Sequence, residues 1–135
     1  MENDASSWTS RMPLASMLGV EVIAASATEV RGGLDWRPDL CTTGGILHGG
    51  ALMALADSLG AVCAVMNLPE GAGTATIESK SNFFRAVRGG RVDGIARPLH
   101  VGGRTIVVQT DLLDPEGRRV AQVTQTQAVL LASPP

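Results

Sequence analysis

One segment of this chain reads as a long helix, and it dictates how the rest must fold. Residues 49–67 are rich in Ala and Leu and stop before Pro69 and Gly71. On a wheel of about 100° per residue, Leu52, Leu55, Leu59, Val62, Cys63 and Met66 fall in one arc. That arc predicts a face packed on a sheet. Asp57 falls on nearly the opposite side, among Met53, Ala54, Gly60, Ala61 and Ala64. Small residues there leave room for another backbone or a ligand.

The remaining chain supplies the sheet. Residues 19–26 and 28–36 read as strands, rich in Val, Ile and Thr. A loop with Pro38, Asp39, Gly44 and Gly45 follows. After the helix, residues 74–84, 90–100, 104–113 and 118–131 read as four more strands. Gly102-Gly103 and Asp114-Pro115-Glu116-Gly117 supply the turns. Two strands, one helix and four strands joined by short turns predict an α+β fold with an antiparallel sheet. Residues 10–18 form a short helical turn, while 1–9 and 132–135 read as flexible ends of a single domain.

Composition narrows the function classes. Hydrophobic residues make up 44% and charged residues 18%, which predicts a folded chain, and aromatics at 3% leave the core to aliphatic side chains. A net charge of −2 without a basic block gives no footprint for nucleic acid. The N-terminus has no apolar signal region. The apolar run 51–66 is short and is interrupted by Asp57 and Gly60, so no membrane span is expected. Cys41 and Cys63 have no metal-ligand spacing. Cys63 reads as core. These features predict a cytoplasmic protein.

The chemistry concentrates in Gly44-Gly45-Ile46-Leu47-His48-Gly49-Gly50 and Asp57. A P-loop, a dinucleotide fingerprint and a GxSxG elbow are all missing, and His48 and His100 lack metal spacing. What remains is a Gly-rich loop opening a helix, with a carboxylate two turns inside. Glycine lets a substrate approach the backbone. The helix start offers unpaired N–H groups and partial positive charge. Those are the parts of an oxyanion hole, and a carboxylate can attack a carbonyl or activate a water that does.

One distance constrains the pair. Asp57 lies eight positions beyond Gly49, about 12 Å along one helix axis. A carbonyl carbon needs nucleophile and oxyanion donor within about 3–4 Å. Both act on one carbonyl only if they come from different chains, as in a two-fold dimer with antiparallel helices.

The stretch LHGGALMALADSLGAVCAV resembles the signature of hotdog-fold thioesterases of the PaaI-like, phenylacetate-degradation group. The order of elements is similar over residues 14–131, and TIESKSNFFR at 76–85 resembles the strand that follows the helix in that family. The resemblance implies a hotdog fold, a sheet of about six strands wrapped around the helix. It implies an acyl-CoA thioesterase with no metal or redox cofactor, coenzyme A being part of the substrate. It also implies a homodimer with shared active sites, and a dimer of dimers.

By that resemblance Gly49 donates the oxyanion N–H, Asp57 is nucleophile or general base, and Thr76 helps position water or carboxylate. His48 shapes the loop and the start of the helix. Thr42 departs from the family, which commonly has Asn or Gln six positions before the histidine. Gly50, Arg85, Arg88 and Arg91 are candidates for binding coenzyme A, the arginines through its phosphates. Thr42 favours an alternative of another class, a non-catalytic acyl-CoA-binding module. A hotdog dehydratase would need a catalytic His in a different loop pattern, which the sequence lacks.

Overall fold

The long helix, α3 (Gly49–Val65), packs against a six-stranded antiparallel sheet in a computed structural model that describes residues 5–132. The strands are β1 (Glu21–Ala25), β2 (Val30–Asp35), β3 (Gly73–Phe83), β4 (Arg91–Val101), β5 (Thr105–Leu113) and β6 (Arg119–Leu130). Their order in the sheet is β1-β2-β4-β5-β6-β3. The chain leaves β2, crosses the sheet as α3, and returns as β3 at the far edge. This is the hotdog arrangement that the resemblance implies. Among the described residues no helix is long and apolar enough to cross a membrane.

The helix packs as its wheel predicts, with an addition. Leu52, Leu55, Leu59, Val62 and Cys63 are buried, and Met66 is the half-buried residue that ends the helix. Gly60 and Ala64, expected on the opposite face, are buried too. The sheet curls around α3, so its contact arc is wider than one apolar stripe.

Close approach depends on two glycines. Gly32 of β2 and Gly94 of β4 are cross-strand partners, and together they form the notch that Leu59 fills. A Cβ at Gly94 would lie 2.4 Å from one Leu59 methyl, and a Cβ at Gly32 2.6 Å from the other. Gly94→Ala is expected to cost about 1–3 kcal/mol through overpacking. Gly103→Ala, where an added Cβ meets nothing within 4 Å, is the control. Urea unfolding midpoints compare the two; equal midpoints would contradict the notch.

The first residues depart from expectation. Positions 1–4 and 133–135 lie outside the described residues. Residues 5–9 are not loose, because α1 (Ser7–Ser10) buries Trp8 in the core. One buried indole orders a segment that shows no periodicity. A second short helix, α2 (Pro13–Leu18), follows and ends at Gly19 with φ 85°. Arg37 donates to the carbonyls of Leu18 at 2.7 Å and Met17 at 3.1 Å, tying the end of α2 to the loop before α3.

The edge strands differ. β1 has five residues, whereas β3 has eleven, nearly all exposed, including Ile77 and Phe83. A long open edge of this kind offers a row of backbone groups for pairing.

Candidate active site

The candidate residues divide into two groups along α3. The first sits at its start. The loop before the helix is held by its own backbone: Thr42 N–H donates to Ile46 O at 2.8 Å, Leu47 N–H to Val87 O at 2.8 Å and His48 N–H to Leu40 O at 2.9 Å. Trp36 Nε1 donates to Gly45 O at 3.1 Å. Gly44 and Gly45 take φ of 78° and 71°, the left-handed region that glycine reaches without a steric penalty.

His48 is the N-cap of α3. Its Nδ1 accepts the N–H of Gly50 at 2.7 Å, and its carbonyl accepts from Ala51 and Leu52. The two glycine N–H groups therefore differ. Gly50's is taken by the imidazole. Among the described residues, Gly49's N–H has no acceptor. It is an unsatisfied donor at the positive end of a seventeen-residue helix.

Gly49 opens onto a cleft of about 360 Å³, lined among others by Thr42, Phe83, Phe84 and Arg85. The Phe83 ring lies over the glycine, so that an added Cβ would meet it at 3.4 Å. Arg85 thus shares a cleft with Gly49 and Thr42. Arg88 is exposed and does not line that cleft. Arg91 does not join them at all. Its guanidinium is held by Glu21 at 2.9 Å, Asp35 at 3.1 Å and Asp93 at 3.2 Å, so three carboxylates of β1, β2 and β4 occupy it. Gly50, with its N–H committed, faces a second cleft beside His48 and Cys41.

The second group centres on Asp57, two turns along α3. Its carboxylate is on the exposed side of the helix, and Gln125 Nε2 donates to its Oδ1 at 3.0 Å. A cleft of about 270 Å³ adjoins it, bounded by Leu14 and Ala15 of α2 and by Ala54 and Ala61 of α3. Thr76 of β3 lies opposite Gln127 of β6, and Gln127 Nε2 donates to Thr76 Oγ1 at 2.7 Å. Thr74 Oγ1 donates to the same glutamine's Oε1 at 3.0 Å.

Gln125 and Gln127 were not among the residues singled out from sequence. Each is 1% exposed. The signal was there in the alternation of β6: both fall in phase with Ala121 and Val123, where an inward-facing strand position should be apolar. A buried amide needs partners, and these two find theirs in Asp57 and Thr76.

Of the two cysteines, only Cys41 adjoins the first group, in the cleft beside His48 and Gly50. Cys63 is buried in the core, and burial pushes its thiol up to about 11. Cys41 is half-buried, its Sγ 3.5 Å from the carbonyl of Arg37.

Comparison with known proteins adds an independent line. Residues 44–121 match the family model of the thioesterase superfamily. The 1,4-dihydroxy-2-naphthoyl-CoA hydrolase of Escherichia coli is 37% identical over 86 residues, covering 64% of this chain and 63% of that protein. The chain spans 60% to 63% of the length of the curated relatives it matches at 37% to 41% identity. Among solved structures, a mutant thioesterase from Pseudomonas aeruginosa superposes with a TM-score of 0.90 at 25% identity, covering 96% of each chain. A phenylacetic acid degradation-related protein from Ralstonia eutropha superposes with a TM-score of 0.80 at 25% identity, over 87% of this chain and 89% of its own.

Proposed function

Because the chain belongs to the thioesterase superfamily, we propose that it hydrolyses a coenzyme A thioester to the free acid and coenzyme A, in active sites shared between two copies of the chain. The observation that carries this reading is the unpaired N–H of Gly49 at the start of α3, next to a Gly50 N–H that His48 already caps. A thioester carbonyl oxygen is the acceptor it suits. The name of the Escherichia coli relative, a hydrolase of a CoA thioester, points to the same bond.

The steps follow from the chemistry of the groups. Gly49's N–H donates to the carbonyl oxygen and stabilises negative charge as the carbon becomes tetrahedral. Asp57 attacks the carbon itself, or removes a proton from the water that does. Thr76 accepts from Gln127, so its own proton is available to orient that water or the carboxylate. Collapse of the intermediate breaks the C–S bond. On the general-base route the proton taken from water passes to the departing thiolate and the free acid is released. On the nucleophilic route the acyl group stays on Asp57 as an anhydride until a water hydrolyses it, freeing the acid, restoring the carboxylate and supplying the thiolate's proton. Arg85, in the cleft with Gly49, is suited to the phosphates of coenzyme A. Arg91 is not, because its guanidinium is already spent on carboxylates.

The two groups on one α3 are about 12 Å apart, so one carbonyl cannot meet both. A second chain pairing along the open edge of β3 would bring Asp57 of one copy toward Gly49 of the other. Two such dimers would assemble into the tetramer that the family resemblance implies.

A panel of aliphatic and aryl acyl-CoAs, with released thiol read by a chromogenic disulfide, tests the reading. Steady-state thiol release from at least one substrate is expected. Saturable binding with no release from any of them would replace the hydrolase by an acyl-CoA-binding module.

A further inference from the structure

The hydrolase reading leaves open what aims the Asp57 carboxylate. Asp57 stands on the exposed side of α3. A carboxylate there turns freely about two side-chain torsions unless something holds it. Among the described residues its one polar partner is Gln125.

We infer that Gln125 is a positioning residue: its buried amide clamps one oxygen of Asp57 from beneath the helix and leaves the other for the reacting carbonyl or water. Three observations converge on it. The amide is 1% exposed, on a strand face where its neighbours in phase are Ala121 and Val123. An apolar side chain would serve packing better at that position, because a buried amide must recover its lost hydration. The second observation is the contact itself: Nε2 donates to Asp57 Oδ1 at 3.0 Å, and an ionised carboxylate only accepts, so the NH2 end must face Asp57.

The third observation is the passage through which the side chain reaches. A Cβ at Gly60 would lie 1.5 Å from Gln125 Oε1 and 2.7 Å from its Cδ. Glycine three positions after Asp57 therefore opens the underside of α3 to the glutamine. Gly60 looked from sequence like clearance for a ligand or another backbone. Its hydrogen instead makes room for this amide.

The inference rests on the assignment of Asp57 to the chemical step, and the test separates the two. Gln125→Met keeps length and volume and removes the donor. On the best acyl-CoA of the panel, kcat should fall by about ten- to a hundredfold, the loss of one hydrogen bond to a charged group. KM should change by less than about threefold, since the amide acts on the carboxylate and not on the bound substrate. The melting temperature should hold or rise. In an Asp57→Asn background the same change should have almost no further effect, because residues acting as one unit are non-additive. Gln125→Leu repeats the measurement should the Met variant fail to fold.

A folded Gln125→Met or Gln125→Leu protein with the parent's kcat overturns the inference. So does an equal loss with and without the Asp57 carboxylate. If Asp57→Asn is slow and the Gln125 variants are fast, only the positioning role is lost. If Asp57→Asn is as fast as the parent, the assignment of Asp57 fails as well.

Discussion

Replacing Asp57 by asparagine is expected to lower kcat by ~10³-fold on any acyl-CoA the protein hydrolyses, within the range for loss of a general base. The substitution preserves shape and the hydrogen bond, since an amide oxygen still accepts from Gln125. It removes only the charge and the basicity. The fold should not suffer, because the carboxylate is exposed and its polar contact survives. KM should change little if substrate binding depends on the Gly49 cleft and not on the carboxylate. The check is kcat and KM on the best substrate, together with a melting curve. A folded variant at the parent's rate would remove Asp57 from the chemistry.

Gly49→Pro is the matching change at the other end of the helix. Proline has no N–H and its φ suits the first helical position, which is where Gly49 stands. The residue before it must be extended, and His48 already is, with φ −61° and ψ 135°. The helix should therefore form normally while the oxyanion donor is missing. The expected loss in kcat is about 10²–10³-fold.

The two variants also test the shared site. In a mixed dimer of an Asp57→Asn chain and a Gly49→Pro chain, one site receives both intact groups and the other neither. Random mixing makes half the dimers mixed, so about a quarter of the parent's activity should return. If each chain carries a complete site of its own, mixing two inactive proteins restores nothing. Unfolding and refolding the two chains together, followed by the thiol assay, decides between them.

Much of this was legible in the sequence, because much of it is local. The helix announces itself through composition and through the arc from Leu52 to Cys63. The strands announce themselves through alternation, and their bounds in the structure lie within two residues of those expected. The pair Gly49 and Asp57 follows from a Gly-rich loop before a helix, and the gap between them from the helical rise. The N-terminal residues were harder. Trp8 belongs to no pattern, and its burial comes only with the packing of α1 against α2 and β1.

The arginines show where local reasoning ends. Arg85 and Arg91 are six positions apart and read as one basic cluster. In the fold, Arg85 turns to the cleft at Gly49 while Arg91 enters β4 and meets the acids of β1 and β2. Their separation comes from strand pairing that no six-residue window contains.

By itself the sequence determined the six strands and the long helix, the side of α3 that carries Asp57, and a glycine loop at its start. Each follows from torsions and periodicities within a few residues. The His48 cap, which takes the N–H of Gly50 two residues on while Gly49's stays unpaired, is local as well. The tertiary structure alone set Gln125 of β6 beneath Asp57, with Gly60 opening the way, and Gln127 beside Thr76 across the β3–β6 pair. Those contacts join segments up to 68 residues apart. Which polar group finds which partner is settled only when the sheet closes around the helix.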